Sequence, residues 1–454
     1  MDLVPEHNLL RLLTYVNPDE IEQKQINQAI VQITDWQYWY ERASFNKIVP
    51  ICFRSLLQLN LKHCVPEPIW LQMEQEANLI RTKNELRNTE AVNFLNEFKK
   101  NDIPVALLKG VAFGETVYGD ASYKRMNDID ILVKKENIDT IYSIYDRLGY
   151  WYVGERIGGS KEKSDKVSHL SPPFVSKNCH CVIGTQWGIK SPLSSYPVNY
   201  EKLWNRVLPL NFMGIDILML SPEDNMHHLC LHLGYFKISL RDMMDFYNLL
   251  RATRDQFDWN LFYEIVEESN SQNPVYFGLA ISQFICPIPG VEVFLHRIEN
   301  KVSTQYKKAV KWKTRSWNVF LNLHSDHIQT VEKTISVFDS TSYFPEKLRY
   351  FLKIWKCIIW PPENEIVCMS ALYKPNFFKR FMARTTIPFK IIRVIVGEVG
   401  WFVFIFISTK TFVTVIISFA KFPFVSKHRS DIGAYAEKLG VPLEKLIELQ
   451  EQFQ

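Results

Sequence analysis

Two aspartates two residues apart, Asp128 and Asp130, are the residues whose type and spacing point most directly to chemistry. They begin the run Asp128-Ile129-Asp130-Ile131-Leu132-Val133, whose alternation at its start predicts a half-exposed strand. Side chains two apart on a strand point to the same side, with their Cα atoms about 7 Å apart. Carboxylates at that separation are suited to share Mg²⁺ ions, which in turn hold nucleotide phosphates. Two such ions about 4 Å apart can stabilise both the attacking and the leaving oxygen of a phosphoryl displacement.

A glycine upstream of the pair lies at a predicted strand-to-helix turn. The apolar run Pro104-Val105-Ala106-Leu107-Leu108 predicts a short buried strand, Lys109 and Gly110 end it, and residues 111–118 can form a helix. Glycine lets a triphosphate approach the main chain, and the first turn of a helix offers free N–H donors. Lys109 and Arg125 are the nearby cations. We therefore expect Lys109, Gly110 and Arg125 to bind the nucleotide, and the two aspartates to be catalytic and to bind the metal.

Helix-forming sequence surrounds this core on both sides. Residues 20–100 place apolar side chains at helical spacing, and residues 70–99 contain neither glycine nor proline. Ser221-Pro222-Glu223-Asp224 predicts a helix start, with Ser221 as the N-cap. The predicted fold class is α+β: a small mixed β-sheet core at about residues 101–190, flanked by N-terminal and C-terminal helical modules. The predicted domains are a helical module at 1–100, an α/β core at 101–219, a helical module at 220–340, and an aromatic and basic region at 341–454.

Bulk composition narrows the class of protein. The chain has 454 residues, of which 47% are hydrophobic and 22% charged, as in folded proteins. Its formal net charge of +4 comes without a concentrated basic stripe, so a long nucleic-acid substrate is disfavoured. The eight cysteines follow no disulfide spacing and the N-terminus has no signal pattern, which predicts a cytoplasmic location.

An apolar segment at residues 399–420 complicates that location. Its length and basic flanks suit a membrane span, but Lys410 near its centre costs about 3 kcal/mol on insertion scales. A buried helix and an interfacial anchor with Lys410 reaching the surface are the competing interpretations. Membrane association through 399–420 therefore stands as an alternative to a purely cytoplasmic protein.

Taken together, these motifs resemble a bacterial family of uncharacterised nucleotidyltransferases within the polymerase-β-like superfamily. The similar segments are Leu107-Leu108-Lys109-Gly110, Tyr118-Gly119-Asp120, Arg125, Asp128-Ile129-Asp130-Ile131-Leu132-Val133, Leu220-Ser221-Pro222-Glu223-Asp224, His232 and Arg241-Asp242-Met243-Met244-Asp245. They extend over about residues 30–270. The resemblance implies that the aspartate pair binds metal and that Gly110 forms the glycine turn. It also implies Mg²⁺-dependent transfer of a nucleoside monophosphate from an NTP, ATP among them, to a small-molecule, peptide or protein acceptor.

Two departures from the superfamily pattern leave two hypotheses open, an active transferase and a catalytically weak module. Val111 follows Gly110 where the superfamily has a second small residue. Gly184, in Gly184-Thr185-Gln186-Trp187, stands where relatives carry the acid that activates the attacking hydroxyl. Glu155, Asp165 and Asp216 are candidate substitutes for that acid. The first hypothesis is the transferase, and the alternative is a catalytically weak nucleotide-binding or regulatory module of the same fold.

Two downstream features have structural interpretations. His232 lies in an otherwise apolar helix, which is typical of a packing histidine. Arg241 and Asp245 stand four residues apart on a predicted helix, the spacing of a structural ion pair.

Overall fold

A computed structural model describes residues 3–120, 123–152, 169–171, 173–178, 180–190, 196–233, 238–314 and 317–321, and six single residues beyond them. One compact unit takes in the described residues up to 233 and from 240 to 310, and the others belong to a second unit. The predicted boundaries at 100, 219 and 340 stay predictions. Within the described residues, no helix has the length and apolar character needed to cross a membrane. The segment 399–420 lies outside them, apart from Thr409.

Five helices precede the sheet: α1 (Pro5–Leu13), α2 (Glu20–Ile30), α3 (Trp36–Phe45), α4 (Val49–Gln58) and α5 (Glu67–Lys100). Side-chain caps fix where two of them begin, because Asp19 accepts from the main chain of Glu22 in a capping box and Asp35 accepts from Tyr38. Helix α5 has 34 residues and is therefore about 51 Å long. Its length carries it from the N-terminal helices to the sheet, where Phe94 and Phe98 are fully buried in the core.

The seven strands form one mixed sheet, in the order β3-β4-β5-β2-β1-β7-β6. They are β1 (Val105–Leu107), β2 (Ile129–Val133), β3 (Trp151–Tyr152), β4 (Phe174–Val175), β5 (Val182–Gln186), β6 (Leu208–Phe212) and β7 (Ile215–Met219). Strand β1 runs antiparallel to β2 and parallel to β7, and β2 runs parallel to β5. The predicted α+β class with a small mixed sheet is confirmed.

Among the described residues, three helices lie between these strands: α6 (Lys109–Thr116), α7 (Ile138–Arg147) and α8 (Tyr200–Asn205). Helix α7 buries Ile141 and Tyr145, and the ring of Tyr145 packs against Phe94 and Phe98 of α5. The apolar faces of α5 and α7 therefore share one core with the sheet. Gly149 ends α7 with a φ of +73°, a left-handed conformation that glycine adopts without strain.

The sheet extends beyond the predicted core at residues 101–190, because the hairpin β6–β7 joins it beside β1. Met213 and Gly214 form the turn, and both have positive φ angles of 49° and 83°. A two-residue turn of this kind matches the twist of an antiparallel pair. The hairpin lies within the predicted domain 101–219, but its pairing with a strand a hundred residues upstream has no local signature.

The remaining helices are α9 (Pro222–His232), α10 (Leu240–Ala252), α11 (Trp259–Glu268), α12 (Gln272–Ile285), α13 (Val291–Ile298), α14 (Thr304–Lys313) and α15 (Asn318–Leu321). Helix α9 begins as predicted, since the Ser221 hydroxyl accepts from the Asp224 main chain and Pro222 is the first helical residue. A buried carboxylate at Asp224 accepts two 2.7 Å hydrogen bonds from Arg206. That pair ties α9 to the end of α8.

Candidate active site

The end of β1 and the start of β2 lie side by side because the two strands are antiparallel. Leu107 pairs with Ile131, and the Leu108 N–H donates to the Asp130 carbonyl at 3.0 Å. Lys109 follows directly as the first residue of α6. The strand-to-helix turn and the aspartate pair, far apart in the chain, thus come together at one edge of the sheet.

The Asp130 carboxylate is held by a donor on each oxygen. The Lys109 ammonium lies 3.2 Å from Oδ2, and the Gln186 amide nitrogen donates to Oδ1 at 2.9 Å. Both Asp130 and Lys109 are mostly shielded from solvent, with side-chain exposures of 17% and 15%. Gln186 is buried as well. Hydrogen bonds to an ionised group in such surroundings are stronger than those between neutral groups, so this carboxylate is firmly oriented.

Gly184 lies directly opposite Asp130 in the parallel pairing of β2 and β5. A Cβ atom built on Gly184 would stand 2.3 Å from Oδ1 of Asp130. That is over 1 Å shorter than a van der Waals contact, so no side chain fits at position 184 while Asp130 keeps this orientation. Position 184, where the family resemblance implies an acidic residue, therefore has no room for a side chain.

Asp128 immediately precedes β2 and is exposed to solvent, although protein surrounds it on its other sides. Partial loss of water and the like charge of Asp130 raise the pKa of Asp128 above its usual range, while Lys109, Arg87 and Arg241 act against this rise. Loss of water is the larger cause of this rise, and the second cause shows that the two carboxylates lie close enough to repel each other. The two carboxylates therefore fit a divalent cation, which binds oxygen ligands of this kind.

The left-handed backbone of the turn falls on Lys109, with a φ of +45°, and not on Gly110. A Cβ atom on Gly110 would meet only Met126, at ordinary contact distances of 3.5 and 3.6 Å. Gly110 is thus not required by the protein's own packing, which leaves the close approach of a ligand as its expected use. A non-glycine residue with positive φ is uncommon and often marks a functional turn.

Of the predicted site residues, Arg125 is the one whose side chain the structure does not join to the pair. It is half-buried, burial and the charge of Arg241 lower its pKa, and none of its hydrogen bonds reaches Asp128 or Asp130. Its carbonyl accepts from Arg241 at 3.2 Å. Lys109, Asp128 and Asp130 are brought together as expected, whereas Arg125 lies beside Arg241.

Arg87 on α5 is a charged neighbour of the site that sequence reasoning missed. Its side chain is 4% exposed, donates to Asn84 at 2.8 Å, and leaves its Nε without a partner. Asn84 in turn donates to the Lys124 carbonyl, in the segment that leads to the pair. The sequence does contain a signal for this residue. The residues at core-facing helical spacing are mainly apolar, but two in the middle of the row are polar: Ile80, Asn84, Arg87, Ala91 and Phe94.

The candidate substitutes for the missing acid do not complete the site within the described residues. Asp216 lies three residues before Met219, which pairs with Leu107, so it is at the opposite end of the sheet, about 10 Å away along β7. There it accepts from Asn211 and pairs with Lys99. Glu155 and Asp165 lie outside the described residues. Within the described part of the chain, no group of three His, Cys, Asp or Glu side chains is placed to hold a metal ion.

Basic side chains lie next to the far end of β5. Leu170 forms a β-bridge with Gln186, and the His169 carbonyl accepts from the main-chain N–H groups of Trp187 and Gly188. His169 therefore lies beside the C-terminal end of β5, the strand whose Gln186 side chain binds Asp130. Lys190 follows the same strand and donates to the Leu231 carbonyl at 2.6 Å. Burial lowers the pKa of His169, and the charges of Lys190 and Lys109 lower it further. Two lysines, Lys109 and Lys190, therefore lie close enough to His169 for their charges to act on it, and the Asp130 carboxylate acts in the opposite direction.

The structure corrects the two downstream interpretations. Asp245 does not pair with Arg241. Its carboxylate accepts from the Tyr118 hydroxyl at 2.6 Å and forms an ion pair with Lys124. Tyr118 and Lys124 precede the aspartate pair in the chain. The buried carboxylate of Asp245 contacts both of them in place of Arg241 on its own helix. His232 is exposed, whereas the packing histidines of α9 are His227 and His228, both buried.

Comparison with known proteins identifies the family of the chain. Residues 32–285, more than half of the chain, match the family described as uncharacterised nucleotidyltransferase. The chain belongs to that family, and the resemblance noted in the sequence is confirmed. No curated protein and no solved structure matches the chain. The family gives a nucleotidyltransferase role in general terms, and its match includes α5, the sheet and helices α9 and α10.

Proposed function

We propose that this protein is an Mg²⁺-dependent nucleotidyltransferase that transfers a nucleoside monophosphate from an NTP to an acceptor other than nucleic acid. Asp128 and Asp130 hold the metal, and Lys109, Gly110 and Arg125 bind the triphosphate. The observation that carries the proposal is the meeting of the aspartate pair with the Lys109 turn at one edge of the sheet, in a chain of this family. The mild net charge of +4 supports the exclusion of nucleic acid.

Each residue has a role that follows from its place. Bound Mg²⁺ supplies charge neutralisation at the phosphates and keeps them in line for displacement. Asp130, fixed by Gln186, orients the metal site, and Asp128 supplies a second oxygen ligand from the more open side. Lys109, which pairs with Asp130 in the absence of a metal, would supply a positive charge for a triphosphate bound at the turn. The first N–H groups of α6 add donors there.

The test uses Asp130→Asn, which keeps the shape of the side chain and removes its charge. We expect transfer of label from α-³²P-labelled NTPs to fall at least about 100-fold, because the pair loses half of its charge for the metal. Asp216→Asn, a carboxylate at the opposite end of the sheet, is the matched control and should retain full transfer. Undiminished transfer by Asp130→Asn would show that the pair has another role.

The alternative, a nucleotide-binding module with little turnover, is favoured by one observation. Position 184 is closed by Asp130 itself, so β5 offers no acid there to activate an acceptor. A module of this kind would bind Mg²⁺ and NTP without releasing pyrophosphate. Pyrophosphate release that requires Mg²⁺ and both aspartates would contradict it.

A further inference from the structure

The strand beside the aspartate pair is neutral where an acceptor has to approach. Gly184 faces Asp130, Thr185 is fully buried with its hydroxyl 3.0 Å from that of Tyr145, and the amide of Gln186 is bound to Asp130. A hydroxyl acceptor loses a proton when it attacks, and a positioned base contributes about 10²–10⁴-fold to that step. Strand β5 supplies no such base.

The described imidazoles on this side of the site, His169 and His228, are poorly suited to replace that base. His169 lies beside β5, but burial and the charges of Lys190 and Lys109 lower its pKa, which makes it a weaker proton acceptor. His228 of α9 is 2% exposed and its Nδ1 has no partner. Burial and the charge of Lys109 keep the pKa of His228 well below its usual value, so it is neutral. The positive charges of Lys109 and Lys190 beside these imidazoles suit a bound anion better than the removal of a proton.

Lys190 is a cation with spare donors among the described residues on this side of the site. Within that part of the chain, its ammonium donates one hydrogen bond, to the Leu231 carbonyl, and forms no ion pair. Because an ammonium has three donors, two are not used by the described residues and can serve a ligand. Burial lowers the pKa of Lys190, and an anion bound beside it would offset that cost of charge.

We propose, building on the function proposed above, that the acceptor is a phosphate monoester and that Lys190 and His169 bind its phosphate. An oxygen of that phosphate attacks the α-phosphorus of the NTP and forms a new P–O bond. The bond between the α-phosphorus and the oxygen bridging to the β-phosphate breaks, and pyrophosphate leaves with the electron pair. The product is a phosphoanhydride. No proton has to be removed, because a phosphate monoester with a second pKa near 6 is already largely a dianion at pH 7.

Matched pairs of acceptors test this with the full chain, Mg²⁺ and α-³²P-labelled NTPs. Glycerol 3-phosphate is compared with glycerol, glucose 1-phosphate with glucose, and inorganic phosphate serves as the smallest probe. We expect the phosphorylated acceptors to give pyrophosphate and labelled anhydride. The rate should be at least about 100-fold higher than with the alcohols, because β5 supplies no base to remove the proton of an attacking hydroxyl. Equal or faster transfer to the alcohols overturns the inference and leaves the transferase standing. NTP binding without transfer to any acceptor overturns both, in favour of the binding module.

A variant locates the acceptor phosphate independently of turnover. Lys190→Gln should weaken binding of inorganic phosphate, measured by calorimetry without NTP, about 10- to 100-fold, the effect of one charged hydrogen bond. It should raise KM for the phosphate acceptor by a similar factor while KM for NTP is unchanged. Lys202→Gln, at an exposed lysine paired with Glu268, is the matched control and should change neither value. An unchanged phosphate affinity in Lys190→Gln would refute the assignment of this residue.

Discussion

Replacement of Gly184 by alanine is the sharpest test of the site, because one methyl group is aimed at one oxygen. The added Cβ would stand 2.3 Å from Oδ1 of Asp130, more than 1 Å inside van der Waals contact. The backbone of β5 is fixed by its pairing with β2, so the carboxylate has to rotate away. That rotation breaks the 2.9 Å hydrogen bond from Gln186 and moves the proposed metal ligand.

Stability and activity should respond by very different amounts. Overpacking costs about 1–3 kcal/mol, and the lower part of that range applies because a side-chain end can move. The buried amide of Gln186 loses its partner, which adds about 1 kcal/mol. We therefore expect the free energy of unfolding to fall by about 2 kcal/mol. A ligand displaced by about 1 Å lowers transfer about 100-fold.

Two measurements on the same preparation check this prediction. Urea denaturation gives the free energy of unfolding, and transfer of α-³²P label gives activity on the folded fraction. Gly114→Ala is the matched control: a Cβ there meets nothing within 4 Å, and alanine in helix α6 should stabilise the protein by about 0.5–1 kcal/mol. Wild-type activity in Gly184→Ala, with unchanged stability, would refute the geometry assigned to Asp130.

Three further substitutions probe charge around the site. Since partial loss of water and the charge of Asp130 raise the pKa of Asp128 to about 6, above that of about 3.9 in an unfolded chain, the folded metal-free protein holds this proton more tightly. Its free energy of unfolding in EDTA should therefore decrease as the pH rises from about 4 to 6, and Asp128→Asn should remove that decrease in pH-dependent urea titrations. Binding of Mg²⁺ should weaken as the pH falls through about 6, and a pH-independent affinity would contradict this. Arg87→Met removes a cation that favours ionised Asp128, so the pH at which Mg²⁺ affinity is half lost should rise, as calorimetry would show; an unmoved midpoint would mean that Arg87 is only structural. Asp224→Asn leaves Arg206 without its charged partner and should cost about 3 kcal/mol in urea denaturation, whereas a loss below about 1 kcal/mol would mean that solvent compensates for the broken pair.

Local sequence signals predicted the parts of the site that lie on single elements. The alternation after Asp128 gave β2, the apolar run before Lys109 gave β1, and Ser221-Pro222 gave the start of α9. Each of these depends on a period or a cap that is confined to a few neighbouring residues.

The parts that could not be predicted depend on contacts between distant segments. Gln186 reaches Asp130 only because β5 pairs with β2 in parallel, and no pattern near either residue encodes that register. Arg87 reaches the site because α5 crosses the sheet. The sequence placed Gly110 at the strand-to-helix turn but gave no sign that Lys109 adopts the positive φ there. Tertiary packing overrides local preference at both places.

Helix α5 belongs to the predicted N-terminal helical module, but it also forms part of the core around the sheet. Its first half packs with the N-terminal helices, and the same continuous rod delivers Asn84 and Arg87 to the aspartate pair before its end buries Phe94 and Phe98 under the sheet. A chain shortened to begin at residue 101 would keep every strand and both aspartates but lose a wall of the site. The smallest piece able to reproduce the chemistry therefore begins no later than the start of α5, and grafting the sheet alone onto another scaffold would transfer the ligands without the charges that tune them.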